Sequence, residues 1–190
     1  MTRTEICNCA LVMLGMNEII SIEEESTSAI RCRKLFPLCR DRMLREHDWA
    51  FAIATAELQQ LSENSLVELF PLTAAVPNNC ARVIRLHSGN PYLIRGNKLL
   101  VQQLPDKCDY VQQNVNPELF DPNFSDALAS LIASELALHG TRDFNAVNFH
   151  MEQYRQKIQT AKALDAIENI HHRQFNKPVN SQFLNSRMTE

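Results

Sequence analysis

The sequence predicts an α+β fold that is mainly α: an up-down helical bundle with a small inserted antiparallel β-sheet and an extended C-terminal tail. Three observations predict it. Apolar residues recur every three to four positions at both ends of the chain, the period of a helix with one buried face. Between them, Pro71, Pro77, Gly89, Pro91, Gly96 and Pro105 punctuate short runs rich in Val, Ile, Leu and Tyr, as turns punctuate strands. The segment 171–190 is polar, with too little apolar bulk for a core of its own. The chain accordingly divides into a helical bundle from 1–68 and 120–170, a β-rich insert from 69–119, and a C-terminal extension from 171–190.

Taken in order, Thr4 to Gly15 reads as a helix with Ile6, Ala10, Met13 and Leu14 at helical spacing, and Gly15 suits its C-terminal cap. An acidic connector follows. Ser26 or Ser28 then caps a second helix that runs to about Asp48, with Cys32, Phe36, Cys39 and Met43 inward. Pro37 lies within it, removing one backbone donor and crowding the Arg33 carbonyl, so a kinked helix or two abutting helices are expected. Trp49 and Phe51 are large apolar anchors, and the chain from there to about Leu61 reads as mainly helical. Strands are expected at 81–86, 92–95, 99–103 and 110–112. Arg95-Gly96-Asn97-Lys98 forms a hairpin turn between two of them. Helical spacing returns at Phe124, with Leu128, Leu131, Ile132 and Leu138, and Ala127, Ala129, Ala133 and Ala137 make this helix slender enough for close neighbours; Gly140 ends it. The last helix spans about Asn145 to Asn169, with Val147, Met151, Tyr154, Ile158 and Ala161 on its apolar face.

With 190 residues, 45% hydrophobic and 22% charged, the chain is long enough for one well-buried core. Its net charge of −3 argues against a general nucleic-acid binder, which needs a surplus of cations. Charge is nevertheless segregated. Arg31, Arg33, Lys34, Arg40, Arg42 and Arg45 face one acid, Asp41, over 31–45, just after Glu18, Glu23, Glu24 and Glu25. These groups are either a solvated face or opposite-sign patches that orient a partner. The absence of a secretory leader or an apolar run near the ~20 residues of a membrane span predicts a cytosolic, reducing setting. None of the six cysteines is spaced CxxC, and all read as structural or incidental.

Catalytic signatures are missing. No phosphate-cradling glycine pattern, HExxH or GxSxG is present, and His171-His172 is too weak a pair to imply a metal. No catalytic, cofactor-binding or metal residue is therefore assigned. A small cytosolic enzyme stays open through a site assembled from scattered residues such as His87, Cys80 and Asp109. A DNA-binding regulator using the Arg31–Arg45 helix is a further alternative.

Four passages, ALVMLGMNEIISI, ESTSAIRCRKLFPLCRDRMLREHDWAFAIA, LFPLTAAVPNNCARVIRL and KCDYVQQNVNPELFDPNFSDALASLIASELALH, stand in an order and spacing that resembles the tail adaptor proteins of tailed bacteriophages. These include the tubular tail A proteins of short-tailed phages and related head-to-tail connectors. The resemblance covers roughly 3–165. Val76-Pro77-Asn78-Asn79-Cys80-Ala81-Arg82-Val83 stands at the family's entry into the sheet, with asparagine where aspartate is common. Tyr110, Pro117, Phe120, Phe124, Ala127, Leu128, Leu131, Ile132, Ala133, Leu136 and Ala137 match its next motif.

The resemblance implies a structural virion protein at the head–tail junction, made in the host cytoplasm. It implies a homo-dodecameric ring joining the portal protein to a tail nozzle or another tail protein, with DNA passing through unread. The C-terminal extension would clamp the portal, with Phe175, Pro178, Phe183 and Leu184 as anchors, and Glu23, Glu24, Arg31 and Arg42 would lie on the faces between subunits. An adaptor of a long-tailed phage, docking to a stopper or tail tube, is the alternative within this class.

Overall fold

The computed structural model describes residues 1–63, 65–138 and 143–169. Its helices are α1 (Arg3–Met13), α2 (Thr27–Glu46), α3 (Pro122–Leu136) and α4 (Phe144–Glu168), with strands β1 (Ile53–Glu57), β2 (Leu72–Ala75), β3 (Cys80–Leu86), β4 (Leu93–Arg95), β5 (Lys98–Val101) and β6 (Lys107–Gln112) between the second and third. Single 3-10 turns at Ala50–Ala52 and Pro117–Leu119 lead into and out of this β region. The α+β, mainly helical fold expected from the sequence is the one observed.

Local chemistry sets the helix ends. Thr2 and Glu5 form a reciprocal capping box at the start of α1. At its other end Gly15 adopts φ +64°. The Gly15 N–H then reaches the Val12 carbonyl and the Met16 N–H that of Leu11, closing a Schellman turn. Ser26, not Ser28, caps α2 by accepting the Ala29 N–H. Despite Pro37, α2 is one helix and not two. Its apolar face, Ala29, Cys32, Phe36, Cys39, Met43 and Leu44, is buried, and burial along 20 residues outweighs one missing backbone bond.

Helix α3 is the axis of the bundle. Eleven of its 15 residues are buried, and it packs against α1, α2 and α4. Ala127, Ala129 and Ala133 keep it slender, as their size predicts. Leu138, expected on the same stripe, is instead 39% exposed, and Gly140 lies outside the described residues. Trp49, Phe51, Phe120 and Phe124 close the end of the bundle, with ring centroids 4.9 to 6.0 Å apart.

The β region departs from expectation in three ways, the first being strand β2 at Leu72–Ala75, where no strand was expected. The stretch after Trp49, predicted mainly helical to Leu61, is strand β1, so strand structure begins inside the 1–68 segment. Ile53 and Thr55 are β-branched, and β6 supplies the partner that a short alternating run needs. In place of one small sheet there are two three-stranded antiparallel sheets, ordered β1-β6-β3 and β2-β5-β4. Apolar residues of both, including Val83, Leu86, Cys108 and Tyr110 from one and Ala74, Leu99 and Val101 from the other, form a second core. The β4–β5 hairpin turns at Gly96-Asn97 as expected, with φ +60° at Gly96 alone, the requirement of a type II′ turn.

Candidate functional site

Strand β6 has two faces because successive side chains alternate. Cys108 and Tyr110 enter the core between the sheets, and Val111 enters the helical core. Asp109 shares Val111's face, directly opposite Thr55 on β1 and Arg85 on β3. The three side chains form a row across the sheet. Thr55 Oγ1 donates to Asp109 Oδ1 at 2.7 Å and Arg85 Nε to Oδ2 at 2.8 Å, while His87 Nε2 lies 2.8 Å from Oδ1. Burial alone would raise the Asp109 carboxyl, but the bonds from His87, Thr55 and Arg85 outweigh it and hold the group below the ordinary carboxylate range. Arg85 also borders a cavity of about 270 Å³ with Ile84, Leu86, Gly89, Asn90, Pro91 and Tyr92.

This row unites two of the three scattered residues considered for an enzyme. Cys80, the third, opens β3, whereas His87 follows its far end. Burial raises the Cys80 thiol, the opposite of nucleophile activation. Ser88, beside His87, donates to Asp106 at 2.5 Å. Asp109, held by three donors, fastens β1, β6 and β3 together. Among the described residues no group of three or more His, Cys, Asp or Glu side chains is placed to hold a metal ion, and no helix is long and apolar enough to cross a membrane.

The residues assigned to subunit faces fall into two places. Glu23 is 3.3 Å from Arg33, and Glu24 folds back to accept the Ile20 and Ser21 N–H groups. Arg31, half-buried near the start of α2, has no ion pair among the described residues. Arg42 stands apart from these, three turns further along α2, over the Tyr154 ring at 6.0 Å and 4.0 Å from Glu46. It belongs to a seam between α2 and α4 in which Tyr154 Oη donates to Glu46 at 2.7 Å, Lys162 pairs with Glu46 at 2.9 Å, and His47 meets Asp165 at 2.9 Å. Phe175, Pro178, Phe183 and Leu184 lie outside the described residues.

Sequence reasoning missed that seam and a second polar device. Asn8 on α1 donates to the Ile19 carbonyl and accepts the Ile19 N–H, both at 2.9 Å, pinning the acidic connector to the helix. Nothing in the local sequence marks Asn8 for this role. Comparison with protein-family models and with curated proteins finds no match to this chain.

Proposed function

We propose that this chain is a structural adaptor of the phage head–tail junction, joining the portal of the capsid to the tail as one member of a ring. Its work is docking, so the relevant features are surfaces on a rigid frame. The observation that carries the reading is the distribution of large apolar side chains left in solvent around a well-packed bundle. Ile20 on the connector, Leu38 on α2, and Phe149 and Ile167 on α4 are all at least 60% exposed. Carried on three separate elements of the helical unit, they suit a subunit with several neighbours better than a monomer. The motif order described above supplies the particular class of assembly. The segregated acidic and basic groups add directionality, because opposite potentials steer and orient a partner.

Native mass spectrometry of the full chain mixed with the portal protein of the same genome, against a chain ending at Asn169, tests the proposal. A complex with twelve adaptors on one portal ring, lost on truncation, is the expected result. Assembly with a stopper or tail-tube protein instead would favour the long-tailed variant. No complex with any of these proteins would overturn the reading.

A further inference from the structure

The acidic connector and the outer face of α2 differ in charge. Ile19 and Ile22 are buried at 4% and 5% exposure, while Ile20 between them is 96% exposed. Asn8 fixes that alternation through both backbone groups of Ile19, and the Glu24 carboxylate accepts the Ile20 N–H at 2.9 Å. A large apolar side chain therefore stands out from a turn held on both sides. Glu18, Glu23 and Glu25, all exposed, lie within five positions of it in the chain. Arg33 counters Glu23 and Glu25 at 3.3 and 3.9 Å, whereas Glu18 has no ion pair among the described residues.

On α2, positions 27, 31, 34, 38, 42 and 45 fall on one line, opposite the buried Cys32, Phe36, Cys39 and Met43. Leu38, at its middle, is 67% exposed. Arg31 and Lys34 lie one to two turns before it, and neither has an ion pair among the described residues. Arg42 and Arg45, further along, are engaged within the chain by Glu46 and the Ala81 carbonyl. Arg33, which reaches the acidic turn, is rotated about 100° from Lys34. Within one molecule the acidic turn is thus met by Arg33 and not by Arg31 or Lys34.

We propose that the Ile20 turn of one copy docks on the Leu38 face of a second copy, with Glu18 and Glu23 against Arg31 and Lys34. An apolar contact inside a rim of complementary charge is the general build of a specific interface. Because the two surfaces differ, the contact is heterologous and leaves the pair with one free surface of each kind to engage further neighbours. The inference rests on the head–tail reading and deepens it by naming the surfaces between subunits. The held turn also lowers the ordering cost of docking.

The test is a charge swap read by sedimentation and native mass spectrometry, with the chain alone and on the portal ring. Glu18→Lys with Glu23→Lys reverses one surface, and Arg31→Glu with Lys34→Glu reverses the other. Each variant alone is expected to self-associate at least about tenfold more weakly than the parent, and an equal mixture of the two to recover association. Ile20→Ser, at a side chain that touches little of its own fold, should weaken association while leaving the circular dichroism spectrum unchanged. Parent-like assembly of all three variants overturns the inference and leaves the head–tail reading intact. Parent chain that binds the portal ring only as separate copies does the same, whereas parent chain that neither self-associates nor binds any head–tail partner overturns both.

Discussion

Asn8 and Ile19 are joined through two hydrogen bonds of 2.9 Å, one in each direction, between a helix side chain and the backbone of the connector that follows it. This pairing decides which isoleucines of the connector are buried and which one faces out. Asn8→Ala leaves both Ile19 backbone groups without their partner and is expected to cost about 1–3 kcal/mol. Urea unfolding would read the loss as a lower midpoint at unchanged slope.

Asp109 ties three strands through Thr55, Arg85 and His87, and its carboxyl lies below the usual aspartate value of 3.8. The sign of the pH dependence follows. A depressed folded-state value means that this contribution is complete above the unfolded value and is lost as pH falls from there through the folded one. Wild-type stability should therefore drop below about pH 4, and Asp109→Asn should flatten that drop while lowering stability near neutrality by about 1–3 kcal/mol. Thermal melts of both proteins from pH 2.5 to 7 check the prediction.

Trp49, the single tryptophan, is fully buried. Its indole Nε1 donates to the Met43 carbonyl at 2.9 Å, and Phe124 meets its ring edge-on at 4.9 Å. Native fluorescence should be blue-shifted and should move to the red in one step with unfolding of the bundle. Trp49→Phe removes the donor and opens space at the core, at an expected cost of about 2–4 kcal/mol by denaturant titration.

Pro37 is carried inside α2 although Arg33 loses its normal backbone donor there. Pro37→Ala restores that donor in a helix already held by packing. A gain of about 1–2 kcal/mol is expected, smaller than the intrinsic helix penalty of proline because the unfolded chain also gains freedom. Comparing the urea midpoints of the two chains measures it.

Much of the helical part was legible because its signals are local. The period of Cys32, Phe36, Cys39 and Met43, the cap at Ser26, the left-handed Gly15 and the aligned alanines of α3 act within a few residues of chain, so their chemistry is written next to the structure it produces. The same locality located β3 to β5 and the Gly96-Asn97 turn. It failed at β1, where Ala52, Ala54 and Ala56 are compatible with a helix and only pairing with β6, more than 50 positions later, makes the segment extended.

The candidate surfaces divide in the same manner. By itself, the sequence determined the charge segregation, the helical faces and the α+β class, all of which depend on composition and short-range period. Tertiary structure alone decided that Asp109 meets Thr55, Arg85 and His87, that Glu46 and Asp165 join α2 to α4, and that Ile20 is turned outward between two buried neighbours. Each of those outcomes needs partners that the chain brings together only by folding, and no local preference of the residues involved selects among the partners available.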